Sequence, residues 1–110
     1  MFRRNILYIL GGVVIILLAV AAVYTFSNKS LKEYTTSVVE MYYNGQFEEA
    51  LVTITEAKRK GRYDTNLGII HGQVLAKLGR FDEARVQYEL VKTEDVSAIM
   101  AVDELIAELP

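Results

Sequence analysis

The sequence predicts an all-α chain: an N-terminal transmembrane helix, then two helical hairpins and a C-terminal capping helix. Three observations carry this expectation. Gly45-Gln46-Phe47-Glu48-Glu49-Ala50 returns as Gly79-Arg80-Phe81-Asp82-Glu83-Ala84, an offset of 79 − 45 = 34 residues. Beyond position 30, apolar residues recur at spacings of three and four, which is one face of a helix. From Ile6 to Phe26 there is no charged residue.

After a short tail at 1–5, the 21 residues of 6–26 are long enough as a helix to span about 32 Å, against a hydrocarbon core of about 30 Å. Arg3 and Arg4 precede the run, Lys29 and Lys32 follow it, and Tyr8 and Tyr24 stand near its ends. A cleaved signal peptide is the competing reading, with Ala19-Val20-Ala21 as its small-x-small site, but the apolar run continues to Phe26 and no polar c-region precedes Ala21. The uncleaved anchor is the more economical. Two Arg and the terminal amine on the short side favour the N-terminus inside. The expected location is a bacterial cytoplasmic membrane, with the helical domain outside the cytoplasm. In an organellar outer-membrane receptor that domain would face the cytosol.

Residues 27–30 read as a linker and 31–110 as one small domain. Ser30 with Glu33 has the form of a capping box, and Leu31, Tyr34, Val38 and Met41 then stripe a helix that Asn44-Gly45 ends. A second helix carries Phe47, Ala50, Leu51, Ile54 and Ala57 and closes near Gly61. Leu67, Ile70, Val74, Leu75 and Leu78 stripe the third helix. After the turn Leu78-Gly79-Arg80, Phe81, Ala84, Tyr88 and Val91 stripe the fourth. A final amphipathic helix over 94–109 has Val96, Ile99, Met100, Val102, Leu105, Ile106 and Leu109 as its apolar positions. It has no partner helix, which is how a terminal cap reads.

A 34-residue period carrying Gly-x-Phe-[Asp/Glu]-Glu-Ala resembles the tetratricopeptide repeat (TPR). The resemblance covers about residues 31–109, as repeats 31–64 and 65–98 with the cap over 94–109. Its best-matched positions are Gly45, Phe47 and Ala50 with Gly79, Phe81, Ala84 and Tyr88, and Gly72 also fits. Departures are Tyr34 in place of the common Trp, Gly68 at that position one period later, and no Pro after either second helix. The resemblance implies a protein-binding array whose concave groove is formed by the first helix of each hairpin. Here that groove would comprise Lys32, Thr35, Val39, Tyr42, Tyr43, Asn66, Ile69, Gln73, Ala76 and Lys77.

Other functions find little support. Removing Arg3 and Arg4 from the 12 Lys and Arg leaves 10 against 14 Asp and Glu in residues 27–110, a net charge of −4 with mixed signs and no nucleic-acid footprint. With no Cys there are no thiolate sites or disulfides. His71 stands alone without an orienting partner, and Glu48-Glu49 and Asp82-Glu83 fall in first turns, where acids complement the helix dipole. The basic cluster Lys58, Arg59, Lys60 and Arg62 complements a helix C-terminus in the same way. No enzyme, cofactor or metal site is expected.

The expected function is a membrane-anchored adaptor or assembly factor, with lipid around residues 6–26 and a protein partner in the groove. The alternative is an accessory subunit of a larger membrane complex held through its transmembrane helix. About three repeats are normally needed for robust stability, so two hairpins point to self-association or to docking on a partner.

Overall fold

The computed structural model describes residues 8–18 and 29–110. Among these there is no strand, and the chain is all-α. The helices are α1 (residues 8–18), α2 (Leu31–Tyr43), α3 (Phe47–Arg59), α4 (Thr65–Lys77) and α5 (Phe81–Glu94), then a 3-10 turn (Val96–Ala98) and α6 (Ile99–Ala107).

The expected transmembrane helix is corrected. No helix among the described residues is long and apolar enough to cross a membrane. The single-pass localisation falls with it. The tail at 1–5, the rest of the 6–26 segment and the cleavage alternative at Ala21 lie outside the described residues.

From residue 30 onward the helices keep a strict register. Helices α2, α4 and α6 begin at 31, 65 and 99, and α3 and α5 at 47 and 81, each one period of 34 apart. Local chemistry repeats with them. Ser30 Oγ accepts from the Glu33 N–H at 3.2 Å and Asp64 Oδ1 from the Leu67 N–H at 2.9 Å, capping α2 and α4. The two hairpin turns are copies. Gly45 and Gly79 take φ of 76° and 75°, and the next N–H returns to the Met41 carbonyl at 2.8 Å and to the Leu75 carbonyl at 2.9 Å. That is the glycine-terminated end in which a left-handed residue lets the chain satisfy its last carbonyls.

The two hairpins fill their interiors in opposite ways. In the first, Tyr34 and Val38 of α2 face Ile54 and Ala57 of α3, and all four are fully buried. One period later the positions hold Gly68 and Gly72 against Tyr88 and Val91. The bulk has moved from the first helix to the second. A Cβ built on Gly72 would stand 2.6 Å from Tyr88 Cδ1 and 2.9 Å from Cζ, and one on Gly68 2.9 Å from Val91 Cγ2. The Tyr88 ring therefore lies on the bare backbone of α4.

Tyr34 carries an unpaid debt, since its buried hydroxyl has no hydrogen-bond partner. An orphan hydroxyl costs its desolvation and returns nothing. Tyr34→Phe is therefore expected to leave the domain as stable as before or to raise its stability by up to about 1 kcal/mol, read as an unchanged or higher urea midpoint. A clear loss would show that the hydroxyl has a partner.

The C-terminal segment is not one helix over 94–109. Asp95 adopts extended angles (φ −138°, ψ 98°) and its carboxylate accepts from the N–H and hydroxyl of Ser97, which ends α5 and starts the 3-10 turn. Thr65 Oγ1 also donates to Asp95 at 2.9 Å, fastening this break to the start of α4. Although α6 is in register, it does not repeat the packing of α4. Leu67, Ile70 and Val74 of α4 join the first core cluster, whereas Ala101, Glu104 and Glu108 one period later are exposed. Instead α6 turns Val102, Leu105, Ile106 and Leu109 onto a second cluster with Leu75, Ala84, Tyr88 and Val91. Lys92 Nζ reaches Asp103 at 2.6 Å across the α5–α6 contact. Val96 and Met100, expected to be inward, are 74% and 83% exposed.

Candidate functional site: a groove across alternate helices

The residues expected to line one continuous groove divide between two clefts. Lys32, Thr35 and Val39 line the first with Leu31, Thr36, Glu40 and Asp64, a cleft of about 440 Å³. Its polar groups are largely spent: the Thr35 and Thr36 hydroxyls donate to carbonyls four residues back, and Asp64 caps α4. Asn66 is exposed and lines neither cleft.

Tyr42, Gln73, Ala76 and Lys77 meet in the second cleft, of about 250 Å³. The rest of its wall was not anticipated. Phe81 and Tyr88 come from α5, Leu105 from α6, and Glu108, Leu109 and Pro110 from the chain beyond. Three helices of one class, α2, α4 and α6, thus converge on it. Tyr42 is held by edge-on contacts with Tyr43 and Phe47, each with centroids 5.6 Å apart. Tyr43 remains 81% exposed beside it. Burial first, then the charges of Tyr42 and Glu108, push the Tyr88 hydroxyl up to about 12, so it is neutral and able to donate at pH 7. The groove mixes apolar side chains with donors at Gln73, Lys77 and Tyr88 and an acceptor at Glu108. That combination suits an extended peptide carrying an apolar side chain.

Ile69 and Ala76 pack partly buried against the second core cluster. Ile69 is therefore an intramolecular contact.

His71 has a structural environment. Gln87, only 6% exposed, donates through Nε2 to the Gly68 carbonyl at 3.1 Å and to Tyr63 Oη at 2.7 Å. A carbonyl can only accept, so this fixes the orientation of the Gln87 amide. Tyr63 Oη, accepting from Gln87, also shares a hydrogen bond with His71 Nδ1, 3.1 Å away. The His71 ring is neutral near pH 7. Burial, followed by the charges of Lys58 and Arg80, lowers it from 6.5 to about 4, with Glu83 opposing. Tyr63 is pushed up to about 12, first by burial. Neither is poised to exchange a proton near pH 7, and no group of His and acidic residues among those described is placed to hold a metal ion. Gln87 and Tyr63 gave no sequence signal, since a Gln on a helix and a Tyr in a loop look like surface.

No family model matches the chain, and neither the curated proteins nor the solved structures yield a match.

Proposed function

We propose that this chain is a TPR-type helical scaffold, two hairpins closed by a capping helix, that binds a segment of a partner protein along the face shared by α2, α4 and α6. The observation that carries the reading is the cleft joining Tyr42, Gln73 and Lys77 to Leu105 and Glu108, whose lining mixes apolar and polar side chains. The common register of helix starts and the two copied glycine turns support the repeat assignment. The reading takes the partner as a protein and gives His71, held in an internal network, no catalytic part. Four of the ten residues expected to bind remain at the centre of the site, and Tyr43 stands at its edge.

A photo-crosslinking amino acid placed at Tyr43 or Gln73 should trap one and the same partner, and one placed at Val52, exposed on α3, should not. Adding Lys77→Glu should weaken capture about tenfold, the scale of one lost charge-assisted hydrogen bond. Equal trapping from all three positions, or indifference to Lys77→Glu, would overturn the groove reading.

A further inference from the structure

Helix α5 is apolar on two sides. Ala84, Tyr88 and Val91 turn inward to the second core cluster. On the outer side Val86 and Leu90, one turn apart, remain 63% and 44% exposed. With Arg85, Glu89 and Thr93 they line a shallow depression of about 340 Å³. A helix docked on a core needs one apolar face, so the outer one is left to be explained. Val86 also borders a cleft of about 480 Å³ that it shares with Leu51 and Thr55 of α3, and the apolar surface therefore continues past α5.

The charges beside this stripe are complementary to themselves. Arg85 and Glu89 stand one turn apart and both are exposed. Arg85 has no ion pair among the described residues. Glu89 has Lys92 at 3.5 Å, a cation that lies closer to Asp103, at 2.6 Å. When two identical helices cross antiparallel about a two-fold axis, each residue meets the one equally far beyond the crossing point. The midpoint of 85 and 89 is 87, and that of 86 and 90 is 88. One crossing therefore brings Arg85 to Glu89 of a second copy and Val86 to its Leu90. A parallel pairing would set Arg85 against Arg85 and Glu89 against Glu89, which like-charge repulsion opposes.

We propose that the outer face of α5 is the interface of a two-fold dimer, in which α5 packs antiparallel against α5 of a second copy of this chain. Val86 and Leu90 form its apolar centre, and two Arg85–Glu89 pairs flank it. The apolar contact supplies the affinity, whereas the charges select the partner and the orientation. The contact sits at the low end of interface size, below about 1,200 Å², so the dimer forms and dissociates with concentration. An interface that uses the same patch on both copies closes at two. None of its residues lines the cleft around Gln73, so the dimer and the groove stand or fall separately.

The chain has no Cys, so introduced thiols report alone. Asp82 and Thr93, both exposed, are equally far from the crossing point and face each other across the dimer. The test mixes full-length Asp82→Cys and Thr93→Cys proteins, differently tagged, and joins them with a short bis-maleimide. The mixed product should exceed the Thr93→Cys self-product several-fold, because two copies of residue 93 would stand about 16 Å apart along the helices. Arg85→Glu in both proteins, or Glu89→Arg in both, brings like charges together twice and should lower the yield about tenfold. Arg85→Glu in one protein and Glu89→Arg in the other restores opposite charges at both contacts and should recover the yield, with helical circular dichroism the same throughout. Reversal without loss, or a loss that mixing does not recover, would overturn the two-fold interface. Equal mixed and self products would overturn it too, by showing association through another part of the chain. Repeated in the producing cells, thiols that join a different protein and not each other would replace the second copy by a heterologous partner.

Discussion

Gly72→Val lowers the stability of the domain by about 3 kcal/mol, enough to bring a small domain near its unfolding threshold. Two effects compete at this position. Any side chain gains up to about 1 kcal/mol of helix propensity over Gly, so an open helical site would be stabilised. Here the new Cβ overlaps the Tyr88 ring, which is 2% exposed and closed in by Leu75, Ala84 and Val91. The ring is packed into the second core cluster, so making room for the new side chain parts the helices. Overlap wins because it is repaid only by losing contacts along the α4–α5 seam. The first hairpin prescribes the rescue, since it carries Val38 and Ile54 at these positions, both fully buried. Tyr88→Ile alone leaves a cavity and costs about 2–4 kcal/mol. Gly72→Val with Tyr88→Ile transplants the solution of the first hairpin, and the double variant should recover at least half of the summed loss. The checking measurement is a urea-denaturation cycle on the four proteins. Strict additivity would mean that the two positions do not compete for one space.

That exchange of bulk marks the boundary of what was legible in the sequence. The period, the helix starts and the glycine turns were readable because each depends on residues within a few positions of one another. Gly45 and Gly79 announce positive φ, and Phe47 with Ala50 and Phe81 with Ala84 announce the helices that follow. The occupant of each interior depends on a partner in the opposite helix. Tyr34 and Tyr88 thus read as two unrelated aromatics, although they fill the same kind of space from opposite sides. The final helix misled for a related reason. Its apolar spacing continued through Val96 and Met100, but the carboxylate of Asp95 found the Ser97 N–H and hydroxyl nearer than another helical turn. Six of the ten residues lining the second cleft were missed: Phe81 and Tyr88, read as core positions, and Leu105, Glu108, Leu109 and Pro110, which lie in or beyond the segment read as a cap. The N-terminal segment shows the opposite failure. Hydropathy alone set a 21-residue span, whereas no helix among the described residues is long and apolar enough to cross a membrane.

Stability should also fall as the pH is lowered from 6.5 to about 4, before most carboxylates titrate, and the cause is His71. In the unfolded chain an imidazole takes up its proton near 6.5. In the folded chain burial and the nearby charges of Lys58 and Arg80 hold uptake back to about 4. Between those values the unfolded state binds a proton that the folded state refuses, so acidification favours unfolding. The loss begins below 6.5 and is complete below about 4. The full interval would set a ceiling of about 3 kcal/mol, at about 1.4 per pH decade. The ring is only partly buried, and solvent screening reduces the expected loss to about 1–2 kcal/mol. The groups around it come from several elements: Lys58 ends α3, Tyr63 lies in the following loop, Arg80 precedes α5, and Glu83 and Gln87 belong to α5. Only Glu83 favours the charged ring, and its carboxylate is already held by Arg80. Protonation would also oblige Nδ1 to donate toward Tyr63 Oη. Urea midpoints measured at half-unit steps between pH 7 and 4 should therefore slope downward in the native protein. In His71→Gln the slope over that interval should flatten, with a lower plateau at pH 7 because Tyr63 has lost its ring partner. An undiminished slope in His71→Gln would assign the acid sensitivity to other groups and show that the His71 ring is hydrated in the folded state.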